Sequence, residues 1–159
     1  MKQSPIKRSE YIVALSRDHH AGLLFCWKIK EGIKKNVASE RILAYVNFFS
    51  EQHLLPHFRE EEALLFSRID GDKCRQGKSE HRMLEERILQ LNHRRGQAEQ
   101  YLSFADLLSK HIRFEERVLF PYLEATLSQS TLKQVGAYLL AEHQTAFVDN
   151  YPDEFWTSE

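Results

Sequence analysis

His57-Phe58-Arg59-Glu60-Glu61-Glu62-Ala63-Leu64-Leu65-Phe66 and His111-Ile112-Arg113-Phe114-Glu115-Glu116-Arg117-Val118-Leu119-Phe120 are two copies of one pattern, His-x-Arg-x-Glu-Glu-x-x-Leu-Phe. On a helix, residues four apart stand one turn above each other, so His57 stacks with Glu61 and His111 with Glu115. Leu54, Phe58, Leu65 and Phe66 flank the first pair, and Leu107, Leu108, Val118 and Leu119 flank the second. Both pairs are therefore expected to border an apolar stripe that faces a core. One pair alone reads as a surface ion pair worth a few tenths of a kcal/mol. Two copies sharing the Arg, the doubled Glu and the Leu-Phe ask for more. A buried carboxylate needs a partner, and a cation bridged by both glutamates would meet that need.

Outward from these motifs the chain reads as helices. It has 159 residues, which suits one domain, with the bundle over 9–127 and a C-terminal helix and tail over 130–159. Six Gly and four Pro leave long stretches without a breaker. A first helix is expected from Ser9 to about Lys35, with Ile12, Leu15, Leu23, Cys26 and Ile33 close to one face. Ser39 is the expected N-cap of a second helix reaching Ile69, with Pro56 inside it as a kink. A third is expected from Ser79 to Arg95, ended by Gly96, and a fourth from Gln97 to Leu127, kinked at Pro121. A shorter fifth runs from Ser130 to about Phe147. Four long helices with short connections predict an all-α, antiparallel up-down-up-down four-helix bundle with the fifth helix appended.

Composition excludes several classes. A net charge of −1 gives no basic excess for a nucleic-acid partner. No stretch approaches the length needed to cross a membrane, and the polar start lacks the apolar run of a secretory signal. Cys26 and Cys74 do not make a disulfide framework, so a cytoplasmic protein is expected. Cys26 falls in an apolar run and reads as buried; Cys74 falls in Gly71-Asp72-Lys73-Cys74-Arg75-Gln76-Gly77, which reads as a loop. There is no phosphate-binding Gly-rich loop and no nucleophile motif around a serine.

The other two long helices offer matching donors. The third carries His81, and the first carries Asp18-His19-His20. The chain thus reads twice as a helical hairpin with a single His followed by His-x-x-x-Glu, placing four imidazoles and two carboxylates around one axis. Such a mixed set suits two iron ions, with manganese or zinc as alternatives. His19 shares a face with Ile12, Leu15, Leu23 and Cys26, whereas His20 aligns with Leu24 and Trp27. Both remain candidates.

Over Ser9 to Leu127 the sequence resembles the hemerythrin-like (HHE cation-binding) family. Asp18-His19-His20, HFREEEALLF, EHRML and HIRFEERVLFP carry the resemblance. It implies a bundle around a non-haem di-iron centre bridged by carboxylates, with His19 or His20, His57, Glu61, His81, His111 and Glu115 as metal ligands. The chain departs from the oxygen-carrying members in two places. They have a second His one turn from the third-helix ligand, where this chain has Gly77 and Glu85. They also end in His-x-x-x-x-Asp, where this chain has His-x-x-x-Glu. The resemblance therefore implies interaction with O2, NO or peroxide in sensing, scavenging or iron handling rather than simple oxygen carriage. A di-iron oxidase or peroxidase-like enzyme and a metal-free helical module are the alternatives.

Other residues have defined expectations. His53, one turn before His57, is a further ligand or a pocket-lining residue. Glu60, Glu62 and Glu116 read as solvated groups or as carboxylates that orient ligand imidazoles. Tyr45, Tyr101 and Tyr122 read as packing residues, His93 and His143 as surface residues, and Arg59 and Arg113 as partners in outer-face ion pairs. The aromatic, acidic end DNYPDEFWTSE either folds back on the bundle or meets a partner.

Overall fold

The computed structural model describes residues 7–93, 97–143 and 147–157, and all regular structure among them is helical. Helix α1 spans Val13–Lys34. It closes with Asn36 in the left-handed region at φ 54°, with Val37 N–H bonded to the Gly32 carbonyl and Asn36 N–H to that of Ile33. This is a Schellman ending with Asn in the position usually held by Gly. The second long helix is built from α2 (Ser39–Phe49), a π turn over Ser50–Leu54 and α3 (Leu55–Leu64), followed by a 3-10 turn at Phe66–Arg68. Helix α4 spans Asp72–His93. The next long helix is α5 (Ala98–Phe114), a π turn over Glu115–Leu119 and α6 (Phe120–Thr126). Helix α7 spans Gln129–Glu142 and is capped by the Ser128 hydroxyl, which accepts from Thr131 N–H at 3.1 Å.

Pro56 and Pro121, the two prolines inside the long helices, follow π turns. Leu55 N–H donates to the Ser50 carbonyl, and Phe120 N–H to that of Glu115, each five residues back. A proline donates no hydrogen bond and its ring presses on the carbonyl four residues earlier. The wider turn ahead of Pro56 and Pro121 gives that ring room, and the helix continues.

The core shows how the helices are oriented. One apolar cluster gathers Phe25, Ile29, Phe49, Phe58, Leu84, Phe104 and their neighbours; a second gathers Ile12, Leu15, Leu65, Cys74, Leu119, Phe120 and theirs. Along α1 the chain runs from the second cluster to the first, and along α2–α3 it runs back. It returns to the first along α4 and to the second through α5–α6. Four alternating passages make an antiparallel up-down-up-down bundle, with α7 added to the second cluster through Leu132, Val135 and Leu139.

Several boundaries differ from the sequence reading. Ala38 holds the N-cap position of α2, and Ser39 is the first helical residue with no capping bond. Helix α4 starts at Asp72, not Ser79, so Cys74 is a buried helical residue rather than a loop thiol. Gly77 lies inside that helix: a Cβ there would stand 2.9 Å from Leu119 Cδ2 and 3.0 Å from Phe66 Cε2. Close approach, not a turn, selects this glycine. Gly96 lies outside the described residues, and α7 ends at Glu142 rather than reaching Phe147. Leu23 is exposed on α1. Val118 is also exposed, because the π turn advances each residue by less than an α turn does and brings Leu119 and Phe120 inward instead.

The described C-terminal residues fold back on α1 and α2. Phe155 is buried against Gly32 and meets the Tyr45 ring edge to face, and Arg41 holds Asp153 through two hydrogen bonds of 2.6 and 2.9 Å. Lys28 pairs with Asp149 at 2.9 Å and stands 4.2 Å from the Trp156 ring. No described helix is long and apolar enough to cross a membrane. Gly77→Val is expected to destabilise the protein by about 1–3 kcal/mol through overpacking, read as a lower urea midpoint with an unchanged slope.

Candidate metal centre

Between the two apolar clusters lies a layer of polar residues. His19 comes from the second turn of α1, His57 and Glu61 from α3, His81 from α4, His111 from the end of α5 and Glu115 from the π turn. All six are buried, and both glutamates are 0% exposed. Their donor atoms form two groups of four, His19–His57–Glu61–Glu115 and Glu61–His81–His111–Glu115. Within each group the donor atoms lie within 4.8 Å of one another, and the two groups share both glutamates. His20 is exposed and outside both groups, as are the Leu24 and Trp27 side chains it aligns with. His53 is buried but also outside them, stacked on Phe147 with ring centroids 4.1 Å apart.

Each of the four imidazoles turns Nδ1 outward to a carboxylate. His57 Nδ1 meets Asp18 at 2.9 Å, His81 meets Glu62 at 3.0 Å, His111 meets Glu80 at 2.7 Å and His19 meets Glu116 at 2.6 Å. The four carboxylates form a ring: α1 supports α3, α3 supports α4, α4 supports α5, and the π turn supports α1. An Nδ1–H donated to a carboxylate fixes the tautomer and leaves the Nε2 lone pair facing inward. Of the three glutamates that the sequence offers for this role, Glu62 and Glu116 fill it, whereas Glu60 bonds His143. Asp18 and Glu80 complete the set without having been singled out by the motifs. The signal was present, because each acid is adjacent to a clustered residue and each adjacency occurs in both hairpins, as Asp18-His19 with Glu80-His81 and as Glu61-Glu62 with Glu115-Glu116.

The inward atoms crowd each other. Nε2 of His57 and of His81 stand 3.1 and 3.2 Å from Glu61 Oε1, and His111 Nε2 is 2.8 Å from Glu115 Oε1. His19 Nε2 lies 3.3 Å from Glu61 and 3.1 Å from Glu115. Yet Nε2 of His57, His81 and His111, with Glu61 Oε1 and Glu115 Oε2, have no well-aligned hydrogen-bond partner among the described residues. Each unsatisfied buried polar atom costs about 1–3 kcal/mol. Five on one centre are matched by the donor set of a cation, imidazole nitrogen and carboxylate oxygen. In the protein alone, burial pushes the imidazolium forms down. The carboxylates outweigh it: Glu61 and Asp18 hold His57 at about 9, and Glu115 and Glu80 hold His111 at about 10. Burial raises Glu61, but the surrounding imidazoles hold it well below the usual carboxylate range.

One end of the layer is closed and the other has space. His81 stacks on Phe58 at 4.0 Å and on Phe66 at 5.5 Å. Gly77, one of the positions where oxygen carriers place a further His, is filled over by Phe66 and Leu119, and Glu85 is exposed. Beside His19, His57 and Glu115, a cavity of about 10 Å³ is lined by Gly22, Leu54, Phe58, Leu108 and Ile112, with Asp18 and His53 completing its wall.

Other expected sites fall elsewhere. Tyr45 donates to Asp149 and Tyr101 to the Ser39 carbonyl, and both are buried among core residues; Tyr122 borders Gly71. Arg59 and Arg113 are exposed and make no ion pair among the described residues. His93 is exposed, whereas His143 is half-buried and bonded to Glu60 at 2.7 Å, not a free surface residue.

Comparison with curated proteins and with solved structures gave no match. A family model described as the hemerythrin HHE cation binding domain matches residues 12–123 and, overlapping them, 78–147. These matches cover most of the chain and all six clustered residues, and the chain belongs to the hemerythrin HHE cation-binding family.

Proposed function

We propose that the chain is a non-haem di-iron protein that binds a small ligand, O2, NO or peroxide, in sensing, scavenging or iron handling. His19 and His57 would hold one ion and His81 and His111 the other, with Glu61 and Glu115 available to both. Manganese and zinc are the competing occupants for the same donors. The observation that carries this reading is the convergence of unsatisfied Nε2 and carboxylate oxygens in a buried layer whose outer Nδ1 atoms are all tied to carboxylates. A simple network of ion pairs would leave no such set of orphaned atoms at its centre.

When bound, a pair of iron ions supplies an open coordination position and one-electron redox change. The protein supplies the rest. Asp18, Glu62, Glu80 and Glu116 aim the four rings and raise their basicity. Phe58 and Phe66 close the His81 side. Gly22, Leu54, Leu108 and Ile112 keep the His19–His57 side apolar and only large enough for a group the size of one water. That space suits a diatomic ligand and excludes an organic substrate, which favours ligand binding over turnover of a larger molecule. The filled position at Gly77 leaves no place for the additional His of the oxygen carriers.

Replacing Glu61 and Glu115 together by Gln is expected to abolish the paired-metal optical spectrum while far-ultraviolet circular dichroism keeps its helical signal. Retention of two bound metals with an unchanged spectrum would overturn the assignment of these two glutamates. Glu80→Ala, which removes the acceptor of His111 Nδ1, is expected to weaken one of the two ions about 10–100-fold and spare the other, measured by competition with a chelator. A third expectation concerns pH. In the stripped protein the raised folded-state values of His57 and His111, about 9 and about 10, give stability that is complete below the unfolded value of about 6.5 and is lost as pH rises through them. Metal replaces the Nε2 protons, so the stripped protein's melting temperature should fall between neutral pH and pH ~10 while the loaded protein's changes less. Parallel thermal melts check this.

A further inference from the structure

Outside the buried layer, a second kind of donor group gathers on the surface side of α1 and α3. Asp18, Glu60 and His143 each offer a ligand atom, and the three atoms lie within 4.8 Å of one another. They come from three elements far apart in sequence: α1, α3 and the C-cap of α7. All three side chains are partly buried, with 12%, 18% and 24% of their surface exposed. Glu60 Oε1 meets His143 Nε2 at 2.7 Å. Asp18 spends Oδ2 on His57 and leaves Oδ1 toward His53 Nε2, 3.9 Å away.

The surroundings favour a cation. The group opens into a cavity of about 310 Å³ that Glu142 also lines and no Lys or Arg does. Asp18, His53 and His143 also border a smaller cavity of about 100 Å³, which the exposed Arg17 lines and Glu60 and Glu142 do not. The C-terminal end of a helix carries the partial charge that attracts cations, and His143 stands at that end of α7. Two carboxylates and one imidazole suit a divalent first-row ion. His53 supplies a separate indication. It is more than nine-tenths buried, its one hydrogen-bond contact among the described residues is a 3.5 Å approach to the Asp18 carbonyl, and it lines both this cavity and the small one beside His19 and His57. Asp18, His53 and His57 are thus the partition between the outer group and the buried layer.

We propose that Asp18, Glu60 and His143 form a third, solvent-accessible site for a divalent cation, and that ions pass from it through the Asp18–His53 partition into the buried pair. The second clause rests on the di-metal reading above. The six buried residues have almost no exposed surface, so an entering ion must shed water before it meets them. A half-open site that shares Asp18 with His57 replaces that water in two stages. The Glu60–His143 bond is exchanged for two bonds to the ion.

The test uses Mn2+ and the variant Glu60→Gln/His143→Ala, neither of whose positions belongs to the buried layer. With the buried pair filled, wild type is expected to bind one further Mn2+, seen as loss of the free-ion electron paramagnetic resonance signal, and the variant none. No further ion in wild type, or equal binding by the variant, overturns the site. On mixing stripped protein with Co2+, the variant is expected to reach the wild-type final absorption at least tenfold more slowly; equal rates overturn the entry role. If stripped protein takes up no Co2+ in the buried layer, the di-metal reading has failed, and the Mn2+ titration on that same sample still decides the outer site. His143→Ala alone serves if circular dichroism shows the double variant misfolded.

Discussion

Two fully buried carboxylates, Glu61 and Glu115, set the terms for the rest of the molecule. An ionised carboxylate in an apolar interior is stable only with opposite charge and hydrogen bonds around it. The bundle meets this with one imidazole from each of its four long helices, and each imidazole then needs an acceptor for its other nitrogen. Asp18, Glu62, Glu80 and Glu116 are those acceptors, standing near the surface where part of each carboxylate stays solvated. The polar layer is therefore graded: most buried at its carboxylate centre, wetter at its carboxylate rim. Apolar clusters on both sides of the layer keep water from the centre.

This arrangement fixes the register of the helices. Each outer hydrogen bond joins a residue on one helix to a ring on the next, and the set closes through Glu116 and His19. Sliding one helix by a single residue would turn its donor away and break bonds to both neighbours. The π turn at Glu115–Leu119 belongs to the same requirement. It delivers Glu115 to the centre and Glu116 to His19, and still returns Leu119 and Phe120 to the core before Pro121.

Much of this was legible in the sequence, because periodicity and duplication act through the same geometry as the fold. The two His-x-x-x-Glu motifs and the single His81 have a spacing that only helices bring to one axis. What stayed hidden depended on contacts between distant residues. His19 and His20 both share a face with apolar residues, more of them beside His19, but the pattern does not say which face is inward. Leu24 and Trp27 on the His20 face are exposed, and an exposed apolar side chain is ordinary. Gly71 and Gly77 together suggested a loop around Cys74, whereas Gly77 is set by the approach of Leu119 and Phe66. An α-helical period places Val118 inward, but the π turn does not keep that period and Val118 is exposed. His143 looked unpartnered because its partner, Glu60, is 83 residues away.

The two ends of the polar layer differ although the hairpins repeat, and packing explains the difference. At His81 the aromatic rings of Phe58 and Phe66 lie flat or nearly flat against the imidazole, and the missing side chain at Gly77 lets Phe66 and Leu119 close in. At His19 the corresponding cover is thinner. Phe120 stacks on one face at 5.2 Å, and Gly22 opposite leaves the tip of Ile112 as the wall. A Cβ at residue 22 would stand 2.9 Å from Ile112 Cδ1, so the small cavity exists only while that residue is glycine. Duplication thus gives two equivalent sets of donors, and two glycines give them opposite fates. Gly77 admits neighbours that fill the space, and Gly22 keeps a space beside the rings of His19 and His57.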